Sequence, residues 1–198
     1  MEKTQAPIIL GSGTLYSMLI EDIKTFKLST ITNAIIEKAE NIFGAIKGGA
    51  TLNYDAKRYT AVDDMGKVKK SKATEEPASF KAGIITINPE TIFEMCNTAR
   101  VGEETEDGTE VKIGGLDNYK DKYYLYRFVY KDAVDGDIRV TFIGNNSVGL
   151  AFAFNPDKET QFNPEFEPFP FLDDEGTLFI ILFGKPGVTT TPETTPEP

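Results

Sequence analysis

The 198-residue chain contains no histidine and no tryptophan, and its single cysteine is Cys96. Without histidine it lacks the commonest general base and the commonest metal ligand, so catalytic triads and zinc centres fall outside its expected chemistry. Cys96 has no partner for an intramolecular disulfide and no imidazole to activate it. Its expected role is that of a small hydrophobe in a reducing compartment. No apolar run approaches the roughly eighteen residues of a membrane span, and the N-terminus shows no basic region leading into an apolar stretch. The expectation is a soluble, non-enzymatic protein made in the cytoplasm, with no membrane partner. Phosphate-binding signatures are missing too, because Gly11-Ser12-Gly13 and Lys47-Gly48-Gly49 have the spacing of neither a P-loop nor a dinucleotide fold. The carboxylate clusters Asp63-Asp64, Glu103 to Asp107 and Asp173 to Glu175 lie in turn-like sequence without EF-hand spacing. They read as solvated faces, and neither cofactor nor metal is expected.

What is present is acid, apolar alternation and glycine. Thirty-one acidic residues against 21 basic give a net charge of -10. This argues against affinity for nucleic acid, which comes from Lys and Arg displacing counterions. An acidic surface also repels phosphate backbones within about 10 Å at ordinary salt, although its simplest consequence is solubility. With 40% hydrophobic residues the chain can bury one core. Residues 1–184 read as one domain with an N-terminal arm, and the Thr- and Pro-rich segment 185–198 reads as a disordered tail.

Strand-like segments dominate. Extended stretches are expected at 14–20, 50–62, 79–88, 122–131, 137–143, 148–154 and 177–183, with an irregular, proline-broken edge at 160–170. Two helices are expected. Ile31, Ile35, Ala39 and Ile42 form a helical stripe within 29–43, with Thr30 or Thr32 at its start. The second begins with Asn88 as N-cap, Pro89 at the first helical position and Glu90 in the first turn. Residues 63–73 read as a long, exposed hairpin loop, in which Asp63 and Asp64 supply the turn and Lys67, Lys69, Lys70 and Lys72 cluster behind it. Residues 102–108 read as an acidic, solvated loop. The fold class is therefore mainly β, a sandwich or barrel with one flanking helix and long extended loops.

Several segments, in order, resemble the major tail tube protein of long-tailed bacteriophages of Gram-positive hosts. They are GSGTLY at 11–16, FGAIKGGATLNY at 43–54, DDMGKVKKSKATEEPASFKAGIITIN at 63–88, TARV at 98–101, FIGNNSVGLAFAF at 142–154 and DDEGTLFIILF at 173–183. The resemblance implies a virion structural protein whose copies form hexameric rings stacked into a hollow tube. Tape-measure, tail-tip and tail-terminator proteins would be its other partners. DNA would pass through the lumen without specific binding. Under this plan the polar residues Thr51, Asn53 and Asp55, and Asp137, Arg139 and Thr141, are expected to face the lumen, because their neighbours Leu52, Tyr54, Ile138, Val140 and Phe142 suit the core. The loop carrying Asp63, Asp64, Lys67, Lys69, Lys70 and Lys72 is expected to join one ring to the next. Two other readings share the pattern: a surface adhesion or carbohydrate-binding module on a Thr/Pro stalk, and the inner tube of a contractile injection device.

Overall fold

The computed structural model describes residues 12–67, 69–152, 154, 157 and 159–186. The expected N-terminal arm before residue 12 and the expected tail from residue 187 onward lie outside them. The described residues form β1 (Thr14–Ile20), the one-turn helix α1 (Asn33–Ile36), β2 (Ile42–Gly44), β3 (Ile46–Tyr54), β4 (Lys57–Val62), β5 (Lys69–Glu75) and β6 (Ala78–Ile84). Then come α2 (Pro89–Met95), β7 (Arg100–Thr105), β8 (Gly108–Lys112), β9 (Tyr123–Tyr130), β10 (Ile138–Asn146), β11 (Glu165–Phe169) and β12 (Ile180–Phe183). The protein is mainly β, and every strand pairing is antiparallel.

Eight strands make the main sheet in the order β2-β1-β9-β10-β11-β6-β3, with β12 paired to β10 off that path. β12 covers Ile138 to Thr141 of β10, and β11 covers Ile143 to Asn146. The sheet thus forks along one edge of a single strand. β2 and β3 stand at opposite ends of the order yet are separated in sequence by Ala45 alone. β9 and β10 are joined through a turn built by Asp132, whose Oδ1 accepts from the N–H groups of Val134 and Asp135 at 2.8 and 3.0 Å. Gly136 closes the turn at φ +93°, and a Cβ there would meet the Gly184 carbonyl oxygen at 2.6 Å, so no other residue fits.

Period-two alternation places Leu15, Tyr124, Tyr126, Val140 and Phe142 in one cluster with Phe43, Phe80, Ile84 and Phe166. Tyr126 is its centre, 4.3 Å from the Phe166 ring and 5.1 Å from that of Phe142. The intervening positions Tyr16, Ile20, Leu125, Val129 and Ile143 form a second cluster with Ile36 and Leu172. β1, β9 and β10 are therefore buried on both faces, and segment 22–41 is the cover of the second.

Five local expectations need correction. Segment 29–43 is not a continuous helix but two single 3-10 turns flanking the four-residue α1. Its β-branched residues are weak helix formers, and spreading the chain lets Leu28, Ile31 and Ile36 all reach the second cluster while Ile35 stays exposed. Residues 63–73 are not all hairpin loop, because Lys69 to Ala73 belong to a strand. β4 and β5 pair from Lys57↔Glu75 to Val62↔Lys69, which leaves a turn around Asp63 to Gly66. Segment 102–108 is likewise a hairpin of β7 and β8 with Glu106 and Asp107 at its tip. Residues 148–152 form no strand, because the Asn146 side chain donates to the Gly149 carbonyl at 2.7 Å and turns the chain away from the sheet. The proline-bearing segment 160–170 supplies β11, which bridges β10 and β6 and is no edge. Pro168 is tolerated because pairing with β6 involves only Glu165 and Phe166. The Asn88 expectation holds: its Oδ1 accepts from the Thr91 N–H at 2.7 Å, with Pro89 opening α2.

Candidate assembly interface

Every residue of β4 and β5 is exposed. The two strands lie outside the main sheet and, among the described residues, pair only with each other. A lone two-stranded ribbon is marginally stable in water, so this hairpin exposes paired backbone and side chains without a second layer. The register divides its lysines. Lys70 and Lys72 pair with Ala61 and Tyr59 and share their face, whereas Lys69 pairs with Val62 on the other. Lys67, Asp63 and Asp64 belong to the exposed turn region. The six residues expected to form one basic patch are therefore distributed over a turn and two faces of a ribbon. Tyr59, Val62 and Met65 add exposed apolar surface among them.

The second hairpin is its counterpart in shape. β7 is exposed throughout, and Glu103, Glu104, Glu106 and Asp107 surround its tip. β8 alternates between exposed residues and the half-buried Thr109 and Val111. A third open feature is β12, which among the described residues pairs with β10 along one side only and carries exposed Ile181, Leu182 and Phe183, the last 68% exposed. An apolar strand with a free edge invites pairing with another chain.

The expected lumen residues separate into two groups. Thr51 and Asn53 are exposed and lie opposite Lys81 and Ser79, with Asn53 Nδ2 donating to Ser79 Oγ at 3.3 Å. Lys81 in turn pairs with Glu165 at 2.9 Å. Asp55 is also exposed but stands beyond the end of β3, where its N–H donates to the Pro77 carbonyl. Asp137, Arg139 and Thr141 are each only 4% exposed, so their assignment to an open lumen face is corrected. The alternation was right and the exposure was not. Arg139 makes two bonds to the Glu37 carboxylate, at 2.7 and 3.2 Å, and a third to Asp137 at 3.1 Å. Arg127 donates to Thr141 Oγ1 and to Asn33 Oδ1 and lies 3.7 Å from Glu37. Burial pushes the Arg127 guanidinium below its usual range while Glu37 opposes that push. The Glu37 hydrogen bonds hold Arg139 above its own. These polar residues fasten the 22–41 cover to the sheet. Glu37 escaped the sequence reading because nothing local distinguishes it from a surface acid.

A second acid, the half-buried Glu94 with its Oε1 shut off from solvent, also had no sequence signal except its place inside the apolar run Ile92 to Cys96. Burial pushes Glu94 up to about 8, against the opposing pull of Ser17, Tyr126 and Lys122. Its Oε2 accepts from Ser17 Oγ at 2.8 Å. Its Oε1 and the adjacent Tyr126 hydroxyl lie against each other without a hydrogen bond of good geometry. Lys122 Nζ lies 3.2 Å from the centre of the Phe93 ring and donates to the carbonyls of Phe93 and Cys96, closing the end of α2.

Among the described residues no group of histidine, cysteine, aspartate or glutamate is arranged to hold a metal. No helix of the structure is long and apolar enough to cross a membrane. One concavity, of about 520 Å³ between β2 and segment 86–91, is lined by Gly13, Ile42, Ala45, Thr86 and Thr91 among others and by no charged side chain. No family model matches the chain, and no curated protein matches it.

Proposed function

We propose that the protein is a self-assembling structural subunit of the phage tail tube type, whose copies form hexameric rings that stack into a hollow conduit for DNA. The observation that carries this reading is the β4–β5 hairpin, a ribbon exposed along its whole length, to which an assembly would give a packing partner. The free, apolar β12 supports it, as does the ordered set of segments that resembles the tail tube family. In this reading the pairing of β2 with β1 and of the contiguous β3 with β6 brings the ends of the sheet together as a barrel. The polar face carrying Thr51, Asn53, Ser79, Lys81 and Glu165 is its candidate lumen wall. The buried Asp137, Arg139 and Thr141 play no part in that wall.

Analytical ultracentrifugation from 1 to about 100 µM, followed by negative-stain microscopy, tests the proposal; stable interfaces of this kind bury more than about 2,000 Å². Rings or tubes are expected, formed alone or on a tail-tip template. A monomer at all concentrations that also ignores such a template overturns the reading, and retention of that monomer on a glycan column would favour the carbohydrate-binding module instead.

A further inference from the structure

The two hairpins outside the main sheet differ in charge. Residues 57–75 hold six basic and three acidic side chains, and residues 100–112 hold two basic and five acidic. Neither imbalance is cancelled locally. Lys57 is taken by Glu75 at 2.9 Å and Lys112 by Glu110 at 3.1 Å, which leaves Arg58, Lys67, Lys69, Lys70 and Lys72 on one ribbon and Glu103, Glu104, Glu106 and Asp107 on the other. Those lysines make no ion pair with a described residue. The charges are also placed differently along the ribbons. The acids of 100–112 gather at the tip, because β7 and β8 meet around Glu106 and Asp107. The lysines of 57–75 lie along β5 and just ahead of it, behind a tip that is itself acidic at Asp63 and Asp64. A tip-to-tip contact would set acid against acid.

We propose that the acidic tip Glu103 to Asp107 of one copy docks on the β5 flank of the basic hairpin of a second copy, with Tyr59 at the centre of the contact between Lys70 and Lys72. This rests on the assembly reading above and names its partner surface. Tyr59 is 66% exposed and shares a ribbon face with both lysines, an amphipathic anchor ringed by charge. The contact is heterologous: each copy offers one hairpin of each sign to two different neighbours, so it propagates as a ring or a stack. Copies that are each strongly acidic overall approach only where charge is locally complementary, and this pair of ribbons supplies that place.

Charge inversion tests it. K67E/K69E/K70E/K72E makes both hairpins acidic, and E103K/E104K/E106K/D107K makes both basic. Each variant alone should associate roughly 10- to 100-fold more weakly than the parent, and an equimolar mixture should recover assembly, because each then presents the sign the other lacks. Circular dichroism of each variant confirms the fold. As a measurement needing no variant, carbodiimide coupling of the assembled parent should yield intermolecular peptides linking 67–72 to 103–107. Assembly of either variant at parental strength, failure of the folded variants to complement each other, or an assembled parent without those cross-links overturns the hairpin contact and leaves the assembly reading standing. A parent that never assembles overturns both.

Discussion

Glu94 shows what one ionisable group does when the fold shuts a carboxylate oxygen off from water. Its carboxyl is held by Ser17 and packed beside Tyr124 and Tyr126, so the protonated form is the one the core accommodates. The carboxyl rises from an ordinary value of 4.5 to about 8 on folding, so the native state binds a proton the unfolded chain has lost. Stability from this group is complete below pH 4.5 and is lost progressively as pH rises through about 8. The loss is roughly 3–5 kcal/mol by the usual conversion. The absence of histidine makes this visible, since no other side chain ordinarily titrates between pH 5 and 8. Urea unfolding at pH 5, 6.5 and 8 should show a steady fall for the parent and a nearly flat line for Glu94→Gln. Equal slopes for the two proteins would locate the pH dependence in another group.

At the scale of elements, the exposed hairpin should be separable from the fold that carries it. The Asp55 N–H bonds to the Pro77 carbonyl at 3.0 Å, so the strands leaving and re-entering the main sheet are already adjacent at the hairpin's base. Replacing residues 57–75 with a short glycine turn should shift unfolding free energy by less than about 1 kcal/mol, the scale of exposed interactions, while abolishing assembly. A loss of several kcal/mol on urea titration would show that the hairpin supports the main sheet. Legibility in the sequence follows the same division between local and distant chemistry. β9, β10 and the start of α2 were readable, because alternation in Ile138 to Phe142 and the Asn88-Pro89-Glu90 sequence act on the chain nearby. A hairpin at 63–73 was legible from its turn residues, but the strand β5 within it was hidden because lysine-rich sequence has low strand propensity, and cross-strand pairing overrides it. Arg139 and Thr141 were set on the correct alternate face of β10, but whether that face is open depends on Glu37 and Ile36, a hundred residues earlier. No pattern within β10 records that cover.

For the whole molecule, net charge and the paired hairpins respond to salt over different distances, and assembly should therefore pass through a maximum. A domain of this size has a radius of gyration of about 16 Å. At 0.01 M salt the screening length is about 30 Å, so the charge of -10 on each copy repels its neighbours across their full width. At 0.1 M that length is about 10 Å, and most of the repulsion is gone while contacts between facing side chains keep much of their attraction. At 1 M it is about 3 Å, comparable to an ion pair itself, and the contact between Lys67 to Lys72 and Glu103 to Asp107 weakens. The apolar surface of Ile181, Leu182 and Phe183 behaves oppositely, because burial of hydrocarbon is not screened. Light scattering of the parent should rise from 0.01 to 0.1 M sodium chloride and fall toward 1 M if the charged hairpins carry the contact that limits growth. In the E103K/E104K/E106K/D107K variant the fall should disappear. A signal from the parent that keeps rising to 1 M would assign the limiting contact to the open edge of β12, and Leu182→Lys would then be the substitution that stops growth.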